Sequence, residues 1–110
     1  MSANFVKIDS AERLEALFNE SHEKPVVLFK HSTTCPISAG VYEEVSRVST
    51  DINLIVVQTA RNLSTAVAEK TGIRHESPQA IILKDGKPIY HASHFDVTAK
   101  DILSELESEM

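Results

Sequence analysis

The spacing of hydrophobic positions changes several times along the chain, and each change predicts an element. Phe5-Val6-Lys7-Ile8 fits a short opening strand. Asp9 or Ser10 then caps a helix whose apolar face is Leu14, Leu17 and Phe18, spaced i, i+3, i+4. Lys24-Pro25 closes that unit, and Val26 to Lys30 reads as a buried strand from its continuous β-branched and aromatic character. His31 to Pro36 is a loop. A second helix starts at Pro36, with Ile37, Val41, Val45 and Val48 along one face. Proline suits a first helical position, where the missing N–H has no partner to lose. Ile52 to Gln58 gives the next strand, and Asn62 is placed to cap a short helix over Leu63, Ala66 and Val67, closed by Gly72. After Ser77-Pro78 comes the strand Ala80 to Lys84; Asp85-Gly86 signals a hairpin, and Lys87 to Ala92 returns antiparallel. Thr98 with Asp101 fits a capping box, Val97 staples against Ile102, and Ile102, Leu103 and Leu106 form the last buried face.

The predicted order is βαβαβαββα. Successive βαβ units require right-handed crossovers into a parallel sheet, and the closing hairpin adds an antiparallel edge. This α/β pattern, a central mixed sheet flanked by helices, is the element order of the thioredoxin fold. The chain has 110 residues, the length of one domain of about 100–150 residues, so residues 1–110 are read as a single thioredoxin-like domain. With 42% apolar residues it can fill a core without a disulfide or structural metal.

Charge and cysteine usage narrow the function classes. A net charge of −5 gives no electrostatic footprint for nucleic acid or an anionic membrane. The longest apolar runs, such as Val26-Val27-Leu28-Phe29, are too short to span a bilayer. Met1-Ser2-Ala3-Asn4 lacks the basic-then-apolar pattern of a secretory leader, so a cytoplasmic, reducing setting is expected. Cys35 is the only cysteine, which excludes an internal disulfide and zinc sites built on several thiolates. Any covalent chemistry at Cys35 involves a second molecule.

A lone cysteine is most often inert packing. Its neighbours argue otherwise here. Ser32, Thr33, Thr34 and Ser38 are small and polar, as in an exposed loop, and Pro36 marks a helix start. Helix N-termini carry unpaired N–H groups and partial positive charge, which stabilise a thiolate, the reactive form of the thiol. Ser38, three residues on, is placed for its hydroxyl to donate to that thiolate. His31 reads either as a base beside the sulfur or as a solvated loop histidine, and Lys30 either as a source of positive potential or as a strand-end lysine in water.

Ser77-Pro78, just before the fourth strand, occupies the position of the cis-proline that faces the reactive cysteine in thioredoxin-like proteins; a bare X–Pro bond is trans by default. Together, Lys30-His31-Ser32, Thr34-Cys35-Pro36-Ile37-Ser38, Glu76-Ser77-Pro78-Gln79 and the closing hairpin resemble the monothiol bacilliredoxins of the YtxJ type. The resemblance implies removal of bacillithiol from S-thiolated cytosolic proteins. In that scheme Cys35 takes the bacillithiol as a mixed disulfide and an external thiol resolves it. Bacillithiol is then a co-substrate, with no tightly bound cofactor. The same resemblance puts Cys35 and Ser38 in the catalytic role and Thr34, Pro36, Ile37, Ser77 and Pro78 against the substrate, with Lys30 and His31 auxiliary. The rival reading is a non-catalytic thioredoxin-like sensing or binding module in which Cys35 is only S-thiolated.

Departures from related families sharpen this. Ser38 stands where dithiol thioredoxins have a second cysteine. Pro36-Ile37 replaces the Gly-Phe of cluster-binding monothiol glutaredoxins, and Ala92 to Asp96 lacks their Gly pair. Other polar residues are ambiguous: Arg61, Arg74 and His75 read as contacts for ligand carboxylates or as surface charges, and Asp96 as a polar contact beside Thr98, which capping explains. His91 and His94 lack a third convergent metal ligand, and no metal site is expected.

Overall fold

The computed structural model describes residues 2–109. Strand β1 (Asn4–Lys7) leads to helix α1 (Ala11–Glu20), followed by β2 (Val26–His31), α2 (Pro36–Val45), β3 (Asp51–Val56) and α3 (Arg61–Thr71). The chain closes with β4 (Gln79–Lys84), β5 (Lys87–Ser93), a 3-10 turn over His94–Asp96, and α4 (Ala99–Ser108). The expected element order holds.

The five strands lie in the order β1-β3-β2-β4-β5. β1, β3 and β2 are mutually parallel, β4 is antiparallel to β2, and β5 is antiparallel to β4. The closing hairpin therefore supplies the expected antiparallel edge, with β4 paired to β2 and β5 outermost. Register sets Lys30 opposite Gln79 and Phe29 opposite Ala80.

Both faces of the sheet are covered, which is why β2 reads as an unbroken apolar run. The two-residue period sends Val26, Leu28 and Lys30 to one face and Val27, Phe29 and His31 to the other. On the first face Leu28, Ile55 and Ile81 pack with Leu14 and Leu17 of α1 and Leu63 and Val67 of α3. On the second, Val27, Phe29, Ile52 and Ile82 pack with Val41 and Val45 of α2 and Ile102 of α4.

Local chemistry explains most of the element ends. Ser10 Oγ accepts from the Arg13 N–H at 3.1 Å and Thr98 Oγ1 from the Asp101 N–H at 3.2 Å, so both are true caps. Gly72 ends α3 at φ 74°, and Asp85 and Gly86 turn the hairpin at φ 55° and 74°. Ser21, at the end of α1, pins that hairpin: its carbonyl accepts from Asp85 N–H at 2.7 Å and its Oγ from Gly86 N–H at 2.8 Å.

Three expectations require correction. Helix α2 ends at Val45; Val48 lies in the following turn, yet is fully buried in the same core. Asn62 does not cap α3. The N-cap is Ala60, buried against the α1/α3 core, and its carbonyl accepts from Leu63 and Ser64 N–H groups at 3.1 and 3.2 Å. Burial of Ala60 fixes the helix start and leaves Asn62 exposed within the first turn. Leu103 lies at the exposed rim of α4, beside the buried Ile102.

Candidate active site at the start of helix α2

Strand β2 delivers the chain to Ser32–Thr34, and Pro36 begins α2, so Cys35 is the N-cap residue, with extended backbone at φ −99° and ψ 120°. Its thiol is free and half-buried, and its side chain makes no capping bond. The carbonyl of Cys35 accepts from the Ala39 N–H at 3.1 Å, the first bond of the helix. The sulfur thus belongs to the residue at the positive end of a helix ten residues long. Thr34, Pro36 and Ile37 are exposed around it.

Gln58, two residues beyond β3, ties this loop down. Its Nε2 donates to Ser32 Oγ at 2.8 Å and to Thr34 Oγ1 at 3.0 Å, and its Oε1 accepts from Thr33 N–H at 3.3 Å. The sequence reading did not single out Gln58. Its only local signal is a polar residue ending an apolar strand.

Ser38 is fully buried. Its Oγ accepts from Ser32 N–H at 3.0 Å and lies 2.8 Å from His31 Nδ1. Among the described residues these are its two partners; Cys35 Sγ is not one of them. His31 is the last residue of β2 and is half-buried, with its ring 4.8 Å from Tyr42 and 6.0 Å from Phe29, centroid to centroid. Burial lowers its pKa, so the imidazole is neutral at neutral pH. Of the two readings of His31, the solvated loop residue is set aside. Tyr42, which the sequence reading passed over, completes the ring stack and also packs on Phe5.

Lys30 leaves the opposite face of β2. It is fully buried, and its Nζ lies 3.1 Å from His75 Nδ1. Burial pushes its pKa down to about 8. A strand-end lysine in water is therefore not what the fold makes of it, because the segment after α3 closes over it. Burial also lowers the pKa of His75, the Lys30 charge lowers it further, and Glu76 opposes both.

The Ser77–Pro78 peptide bond is cis, and Pro78 is buried. Since Gln79 pairs opposite Lys30, this bond lies at the same end of the sheet as the Cys35 loop. The Pro78 carbonyl accepts from His94 N–H at 2.9 Å. Gln79 Nε2 donates to the Arg74 carbonyl at 3.0 Å, which engages Arg74 through its backbone and leaves its side chain exposed. Arg61 and His75 are brought together with Ser32 and Thr34 around one cleft. Asp96, His91 and His94 are exposed, and Thr98 serves as the α4 cap. Among the described residues no three His, Cys, Asp or Glu side chains converge as a metal site, and no helix is long and apolar enough to cross a membrane.

A five-stranded mixed sheet, one free thiol at a helix N-cap and a cis-proline at the same end of the sheet define a thioredoxin-fold redox protein of the monothiol kind. Residues 6–102 match the family described as monothiol bacilliredoxin BrxC, and the chain belongs to that family. A solved structure described as a candidate oxidoreductase with a thioredoxin fold is 33% identical, with a TM-score of 0.83 over 94% of this chain and 93% of that one. The fold is also that of thioredoxin from Malassezia sympodialis (14% identity, TM-score 0.74, 99% of this chain and 92% of that one). Thioredoxin from Nicotiana alata is similar as well (16% identity, TM-score 0.75, 99% and 95% covered).

Proposed function

We propose that this protein removes bacillithiol from S-bacillithiolated cytosolic proteins. One observation carries the reading: the chain's only thiol stands free at the N-cap of α2, with Ser38 in place of a resolving cysteine. In the first step the Cys35 thiolate attacks the bacillithiol sulfur of the protein mixed disulfide. A Cys35–bacillithiol disulfide forms, and the target sulfur leaves as a thiolate that takes a proton from water. In the second step the thiolate of an external small thiol attacks the bacillithiol sulfur. Cys35 returns as a thiolate, and the two small thiols depart joined as a disulfide. The external thiol supplies the reducing equivalents, and bacillithiol is a co-substrate rather than a bound cofactor.

Ser38 and His31 support the sulfur in this scheme. With the proton on His31 Nδ1, Ser38 Oγ accepts from both His31 and Ser32 and so ties the first turn of α2 to the strand end and loop that lead to Cys35. Thr34, Pro36 and Ile37 form the exposed rim that meets the protein substrate, and Ser77 and Pro78, just ahead of β4, complete the substrate-binding set in this reading.

Turnover tests the reading. Catalytic amounts of protein mixed with an S-bacillithiolated target and free bacillithiol should release many equivalents, and Cys35→Ser should release none. A parallel reaction with a glutathionylated target and glutathione should be slower. Release limited to one equivalent would instead identify a sensing module in which Cys35 is only modified.

A further inference from the structure

Lys30 is fully buried, yet among the described residues no carboxylate pairs with it. A buried ammonium without a counter-ion costs stability, so packing does not explain why a lysine stands here. Its partners in the sheet register, Ile55 of β3 and Gln79 of β4, are uncharged. Its one hydrogen-bond partner among the described residues is His75, whose Nδ1 lies 3.1 Å from the ammonium. An ammonium only donates, so Nδ1 accepts and the neutral imidazole carries its proton on Nε2. Burial first, and then the Lys30 charge, lower the pKa of His75 against the opposing pull of exposed Glu76, so the ring is neutral at neutral pH. His75 is itself exposed and lines a cleft of about 450 Å³ together with Arg61 and with Ser32 and Thr34 of the Cys35 loop. Its ring thus joins a buried ammonium to the cleft beside the reactive thiol.

We propose that His75 and Lys30 form a proton relay for the sulfur that leaves when Cys35 attacks a disulfide, His75 giving up its Nε2 proton and Lys30 replacing it at Nδ1. The Cys35 thiolate bonds to one sulfur of the disulfide, the S–S bond breaks, and the other sulfur departs with the electron pair. That sulfur takes the Nε2 proton, Nδ1 takes one from Lys30, and Lys30 is left as a neutral amine that water reprotonates. Cys35 is oxidised to the mixed disulfide and the departing sulfur is reduced to a thiol. The proton affinities suit the transfer, since Lys30 at about 8 lies near an ordinary thiol at about 8.5. A lysine at its usual value would hold the proton too tightly to pass it on. His75 meets the reacting atoms, whereas Lys30 acts through it as a positioning residue. The relay rests on the reading of Cys35 as an exchanging thiol and adds the group that delivers the proton.

The test is the dependence of the Cys35 rate on the leaving group. The protein is reacted at neutral pH with hydroxyethyl disulfide, whose aliphatic thiolate needs a proton, and with dithiobis-nitrobenzoate, whose aromatic thiolate leaves without one. Acid-quenched intact mass gives both rates, and their ratio cancels any change in the thiolate fraction of Cys35. His75→Gln should slow the aliphatic reaction by about tenfold, below the usual span of general acid catalysis because a thiolate also leaves unaided, if more slowly. The aromatic reaction should stay within twofold of wild type. Lys30→Met should show the same selective loss, and His22→Gln, at an exposed histidine beside the hairpin turn, should show none. Ring-nitrogen NMR should find the His75 proton on Nε2 in the wild-type protein. Equal slowing with both disulfides in His75→Gln, no slowing with the aliphatic one, a Lys30→Met ratio matching wild type, an equal loss in His22→Gln or a proton on Nδ1 overturns the proposal. A single exchange is read, so failure to cycle in the assay above counts against debacillithiolation and not against the relay.

Discussion

His31 Nδ1 lies 2.8 Å from Ser38 Oγ, joining the last residue of β2 to the first turn of α2 directly beneath the loop that presents Cys35. The same oxygen accepts the Ser32 N–H. Removing it in Ser38→Ala leaves a backbone donor and an imidazole nitrogen without their partner at a buried site. The expected cost is about 1–3 kcal/mol, read from urea unfolding. If the hydroxyl also serves the sulfur, the variant should react more slowly with a small disulfide at neutral pH, under conditions where it is fully folded. An unchanged rate would confine Ser38 to a structural role.

The imidazole of His31 should titrate below the ordinary histidine range, because burial against Tyr42 and Phe29 disfavours its charged form. Between its folded pKa and 6.5 the unfolded chain binds more protons at this residue, so stability falls as pH drops through that window. Ring-proton NMR gives the midpoint, and ring-nitrogen shifts give the tautomer. A midpoint at or above 6.5 would contradict the burial argument.

Lys30 gives a second pH signature, at the alkaline side. Its pKa is about 8 in the folded protein against 10.5 ordinarily. Below pH 8 it is charged in both states and the burial penalty is present in full. Between 8 and 10.5 the unfolded chain holds the proton more tightly, so this residue raises stability as pH rises. Lys30→Met should therefore be more stable than wild type at neutral pH, by up to about 3 kcal/mol, less the lost bond to His75. The advantage should shrink steadily toward pH 10. Urea unfolding across that range checks it; a constant gap would contradict the assigned pKa.

Two capping positions that read alike in the sequence should respond differently. Thr98→Ala removes a side chain that accepts the Asp101 N–H and should cost about 1 kcal/mol. Asn62→Ala removes no cap, since Ala60 starts α3, and should stay within about 0.5 kcal/mol of wild type. Thermal unfolding of the two variants distinguishes them.

That contrast shows where local reading succeeds and fails. Ser10, Thr98, the Asp85-Gly86 turn and Pro36 at the start of α2 were legible because each acts within about four residues of itself. The start of α3 was not, because burial of Ala60 against α1 decides it. The Cys35 corner was legible for a similar reason: strand, polar loop, cysteine, proline and helix follow one another directly. Its support was not. Lys30 and His75 are 45 residues apart, and Gln58 is 26 from Ser32 and 24 from Thr34. Nothing in a periodicity argument brings such residues together. Only the strand order does, by placing the end of β2 between the end of β3 and the start of β4.

Gln58 supplies the last prediction. One amide serves three consecutive residues of the loop, donating to Ser32 and Thr34 through Nε2 and accepting from Thr33 through Oε1. These bonds lie near solvent, so Gln58→Ala should cost only about 0.5–1.5 kcal/mol in stability. Its effect on the loop should be larger. The Thr33 N–H should exchange with solvent faster, while amides in the middle of β2 remain protected to the level of global unfolding. Reaction of Cys35 with a small disulfide should slow in parallel, because the loop that positions the sulfur loses its anchor. Gln58→Glu separates the two halves of the contact. A carboxylate retains the acceptor for Thr33 and loses the donor for Ser32 and Thr34. Thr33 protection should persist in that variant while the Cys35 rate still falls. Equal protection of Thr33 in wild type and Gln58→Ala would show that the loop is held by something other than this amide.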